Sequence, residues 1–107
     1  MKMDYQQICK NEEISLLIEK GNEILQELGY TEHSRKHAMK VAETAGKILK
    51  ELGYGKRKIE LAKIAGYMHD IGNSINRHDH AQSGAILAYQ ILKELDFSYR
   101  DILVVTT

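Results

Sequence analysis

Proline is absent from this chain of 107 residues, and stretches of alternating β-branched residues are few. With abundant Leu, Ile, Ala, Glu and Lys, that composition points to an all-α protein. Cysteine occurs once, at Cys9, which excludes an internal disulfide and a cysteine-based zinc knuckle. Charge of one sign is not in excess: fifteen Lys and Arg balance fifteen Asp and Glu. A general nucleic-acid footprint needs a basic surplus or a concentrated basic face, and the short run Lys56-Arg57-Lys58 does not supply one, so no nucleic-acid partner is expected. No apolar run approaches 18 residues and no signal peptide opens the sequence, so the expected setting is cytoplasmic, with no membrane partner. Internal repeats, low-complexity tracts and linkers are also missing. The length fits one small domain, residues 1–107, with one core.

Hydrophobic spacing then divides the chain. Residues 1–11 are polar and mixed; Met1, Met3, Tyr5 and Ile8 do not define a face, so a frayed or short helical lead-in is expected. Ile14, Leu17, Ile18, Ile24, Leu25 and Leu28 recur at helical steps up to Gly29, with Gly21 weakening the middle. Thr31 can cap a second helix bearing Ala38, Val41, Ala42, Ala45, Ile48, Leu49 and Leu52, which Gly53 stops. His37, four residues before Val41, falls on its inner side. A third helix runs from about Lys56 to Asp70, with small residues along one face that let other helices come close. Residues 71–79 read as a polar loop. The next helix starts between His78 and Gln82 and ends near Leu95, with His80, Gly84, Leu87 and Ile91 on one stripe and Ile86, Tyr89 and Leu92 beside it. Ser98 can cap a last helix from Tyr99 to Val105, which carries no stop signal and so reads as a cut chain. The expectation is a helical bundle of about five helices.

The chemistry gathers around His69-Asp70-Ile71-Gly72, at the end of the apolar run Leu61 to Met68. Five His and five Asp give roughly 0.2 such neighbours by chance, so the dipeptide alone carries little. A helix end in which Asp70 merely orients the ring would also explain it. His37, His69, Asp70 and His80, however, come from three helices, each on an inner stripe or at a helix end. Imidazole and carboxylate together suit Mn, Fe, Co, Ni or Zn. A divalent ion so held can lower the pKa of a water to about 7 and polarise a phosphoryl oxygen. His78-Asp79 reads as loop surface.

His37 with Val41-Ala42, then Glu60 to Gly72 with His69-Asp70 near its end, then His80-Ala81-Gln82-Ser83-Gly84-Ala85, resemble in order and spacing the first part of an HD-domain phosphohydrolase. The resemblance covers residues of about 30–107, a partial HD-like core behind a lead-in and helix at 1–29. It implies that His37, His69 and Asp70 are metal ligands, that Asp70 is the catalytic carboxylate and bridges two ions in binuclear members, and that His80 serves the second ion. It further implies one or two divalent ions, Mg included, and a small phosphorylated substrate, a phosphate ester or a nucleotide. The family completes its first metal site with an Asp from a later helix; Asp96 and Asp101 come too early to substitute. Where the family often has Lys after His-Asp-x-Gly, this chain has Asn73, so a phosphate contact is lost or moves to Arg77. Asn73, Arg77 and His33 are therefore the candidate substrate-binding residues. The alternative reading is an HD fold that binds or regulates without catalysing.

Overall fold

The computed structural model describes residues 3–29, 34–74 and 80–106. Among them are six α-helices and no strand: α1 (Tyr5–Cys9), α2 (Glu12–Glu27), α3 (Arg35–Glu51), α4 (Lys56–Met68), α5 (His80–Glu94) and α6 (Tyr99–Thr106), with a 3-10 turn at Ile71–Ser74 after α4. The all-α reading holds.

The amino-terminal segment is the short helical lead-in of the two expected alternatives, with a buried face that the sequence reading did not find. Asp4 and Gln7 form a reciprocal cap: the Asp4 side chain accepts from the Gln7 backbone and the Gln7 side chain from the Asp4 backbone, both at 2.9 Å. Tyr5, Ile8 and Cys9, at i, i+3 and i+4, are buried as one stripe, and Met3 packs against the same core. The Tyr5 backbone N–H donates to Glu60 Oε1 at 3.0 Å, which ties α1 to α4. Five residues are too short for periodicity to register, so docking rather than propensity makes this helix.

Helix α2 is capped by Asn11, which accepts from the Ile14 backbone at 2.9 Å, and buries Ile14, Ile18, Gly21 and Leu25. Gly29 follows with φ +87°, the left-handed geometry that ends helices. Helix α3 is capped by Ser34; the expected cap, Thr31, lies outside the described residues. Its buried residues are Ala38, Ala42 and Gly46, while Ile48 and Leu52, expected on the inner stripe, are exposed. Small residues explain this: α3 meets α4 in the most extensive helix contact of the fold. A Cβ on Gly66 would lie 3.0 Å from Ala42 Cα, so the two backbones nearly touch.

Helix α4 ends at Met68, two residues earlier than expected, and His69 forms its carboxy-terminal cap. The 3-10 turn replaces the first part of the expected loop and packs between α2 and α5. On α5 the buried side is Gly84, Ala88, Ile91 and Leu92; Ile86 and Tyr89 face outward, contrary to the expected grouping. Ser98 caps α6 by accepting from the Asp101 backbone at 3.2 Å, as its position suggested. Arg57 on α4 grips Asp101 with two bonds, of 2.9 and 3.2 Å, donates to the Met3 carbonyl and lies over the Phe97 ring. Among the described residues, no helix is long and apolar enough to cross a membrane.

Candidate metal centre

The α3–α4 contact positions the chemistry. His37 stands in the first turn of α3, and His69 and Asp70 follow the last turn of α4, so the close approach at Gly66 and Ala42 brings the two ends together. One ligating atom from each of His37, His69 and Asp70 lies within 4.8 Å of the other two. The two imidazole rings are 5.9 Å apart, centre to centre.

His69 is oriented on both sides. Its Nδ1 lies 2.6 Å from the Gly66 carbonyl oxygen. A carbonyl can only accept, so Nδ1 carries a proton and Nε2 is left to face the site. Nε2 lies 2.9 Å from Asp70 Oδ2. The hydrogen bond to Asp70 chiefly, helped by that carboxylate's charge and by the Gly66 carbonyl and opposed by burial, raises the His69 pKa above 6.5. Both ring nitrogens thus face acceptor oxygens, which favours the protonated ring; an ion would take the place of the Nε2 proton. Two imidazoles and one carboxylate are a donor set that suits a borderline divalent ion, so the residues fit the group.

A narrow cavity of about 10 Å³ adjoins these donors, room for one water-sized occupant. Its other walls are Ile18, Gly21 and Asn22 of α2, Ala38 of α3 and Tyr67 of α4. The Tyr67 hydroxyl accepts from Arg35 Nε at 3.0 Å, and Arg35 Nη2 donates to the Cys9 carbonyl at 2.9 Å, so α1 braces the wall from behind. On the solvent side a groove of about 510 Å³ runs along α3, lined by Lys36, His37, Met39, Lys40 and Glu43.

Of the residues singled out in the sequence, His37, His69 and Asp70 converge. Asn73 lies in the 3-10 turn directly after them. His80 opens α5, but its side chain and that of Asn73, with His33 and Arg77 entirely, lie outside what is described. Asp101 is held by Arg57. Asn22 and the two lysines escaped the sequence reading. The signal for Asn22 was there: a polar residue beside Ile18, Gly21 and Leu25, on the buried stripe of α2.

The HD domain family model matches residues 35–106. The chain belongs to the HD-domain family, a superfamily of metal-dependent phosphohydrolases. It is 30% identical over 109 residues to Uncharacterized protein MJ1020 of Methanocaldococcus jannaschii, an alignment that takes in 88% of this chain and 42% of that protein's length. No solved structure matches.

Proposed function

We propose that this chain is a metal-dependent phosphohydrolase acting on a phosphate ester or nucleotide, with His37, His69 and Asp70 holding the metal. The convergence of these three side chains from two helices is the observation that carries the reading. Bound there, a divalent ion would supply an acidified water and a polarised phosphoryl oxygen. The protein's own groups do the rest. The Gly66 carbonyl fixes the His69 tautomer, and Asp70, the proposed catalytic carboxylate, sets the ring's direction. Lys36 and Lys40, on the groove beside His37, offer positive charge to a phosphate approaching from solvent. Arg77 is the further candidate for phosphate contact, Asn73 and His33 for substrate contact, and His80 for a second ion.

The chain spans 42% of the length of the curated relative it matches. Three donors, among the described residues, favour a second reading as well: an HD module that binds metal and a phosphorylated ligand without turnover. Hydrolysis of p-nitrophenyl phosphate with added Mn(II) or Ni(II), by the wild type and by Asp70→Ala, separates the two. Turnover lost in Asp70→Ala supports the enzyme; metal binding with no turnover in the wild type supports the module.

A further inference from the structure

We infer that Asn22 of α2 is a further ligand of this metal centre through its carboxamide oxygen, supplied by a helix that carries neither histidine. The inference rests on the proposed metal role of His37, His69 and Asp70. The segment matching the family begins at residue 35, whereas Asn22 lies upstream of it, on a helix that the match does not include.

Three observations lead there. The cavity beside the donors has room for a single water-sized occupant, and its polar side-chain walls are His37, His69, Asp70 and Asn22, Tyr67 turning its hydroxyl to Arg35. An occupant of that space therefore meets Asn22 together with the three donor residues. Gly21, beside Asn22, is buried in the interior of a 16-residue helix. A helix-interior glycine costs about 0.5–1 kcal/mol relative to alanine. It lines this cavity beside Asn22, so the helix carries its weakest residue where it borders the site. Finally, α2 packs directly on the 3-10 turn that follows Asp70, which fixes its distance from the site. A carboxamide oxygen is a neutral, hard donor, compatible with an ion already bound by imidazole and carboxylate.

The test is Mn(II) affinity by titration calorimetry, together with the visible absorption of the Co(II)-loaded protein, for the full chain and for Asn22→Leu and Asn22→Asp. Helical circular dichroism verifies that each variant is folded. Asn22→Leu should bind Mn(II) about tenfold more weakly. Asn22→Asp should bind it at least as tightly as the wild type and change the Co(II) spectrum. Two folded variants with wild-type affinity and an unchanged spectrum would overturn the assignment of Asn22 and leave the other three ligands standing. A wild type that binds no metal would overturn both.

Discussion

Replacing Gly66 by alanine probes the contact on which the site depends. The added Cβ would sit 3.0 Å from Ala42 Cα and 3.2 Å from both Ala42 N and the Val41 carbonyl oxygen, all backbone atoms. Ordinary contact begins near 3.4 Å, so α3 must retreat by a few tenths of an ångström. Overpacking of this kind costs about 1–3 kcal/mol, and the better helix propensity of alanine returns about 1. A net loss of about 1 kcal/mol lowers Tm by about 4–8 °C in a domain of this size. Gly46→Ala is the comparison: the nearest atoms to its Cβ belong to the Lys63 side chain, Cε at 2.6 Å and Cγ at 2.8 Å, so Lys63 rather than the backbone of a neighbouring helix must shift. The two variants also differ at the site. Only the first separates the helix ends bearing His37 and His69, so only Gly66→Ala should lose Mn(II) affinity, by about tenfold. Thermal melts and metal titrations of both variants are the assays. Equal stabilisation by the two substitutions, with unchanged metal affinity, would refute the claim that backbone contact at Gly66 sets the histidine spacing.

Other expectations follow from the same geometry. Metal binding should displace the His69 Nε2 proton, so Mn(II) affinity should be flat above the raised His69 pKa and fall about tenfold per pH unit below it; calorimetry in buffers of different ionisation enthalpy counts the proton. Metal-free protein should show the opposite slope, because the stability from the protonated His69 paired with Asp70 is fully present below pH about 6.5 and is lost as pH rises through the raised folded pKa. Arg57→Ala leaves the buried Asp101 carboxylate without its partner and should cost about 2–3 kcal/mol in urea unfolding. Arg57 lies about 18 Å along α4 from the site, so its loss should leave Mn(II) affinity within about twofold of wild type.

Periodicity was enough to find α2 to α5, because each carries apolar or small residues at helical spacing over at least two turns, while α6 was legible from its Ser98 cap and the apolar run Ile102 to Val105. It left α1 as a frayed or short helical lead-in with no face, because its three buried residues span barely one turn and are held by tertiary contacts such as the Tyr5 to Glu60 bond. Inner faces were less legible than helices. On α3 and α5 the large residues Ile48, Leu52, Ile86 and Tyr89 look like core in a linear reading, yet the buried sides are made largely of Ala and Gly, since close backbone approach rather than side-chain volume decides the packing. His37, His69 and Asp70 could be named in advance because each histidine falls on the inner side of its own helix, Asp70 follows His69 directly, and their order and spacing resemble the HD family. The place of Asn22 on the inner stripe of α2 was legible, but its nearness to the site depends on where α2 lies against the 3-10 turn, which no local pattern encodes. His80, Arg77 and His33 keep the standing that the sequence gives them.

The central claim, that His37, His69 and Asp70 together hold a divalent ion, is tested most directly by Mn(II) titration of the metal-stripped wild type beside His37→Ala, His69→Ala and Asp70→Ala, each shown to be helical. The wild type should bind at least one ion per chain, and each substitution should weaken binding about tenfold or more. A folded wild type that takes up no divalent ion, or three variants that bind as the wild type does, would contradict it.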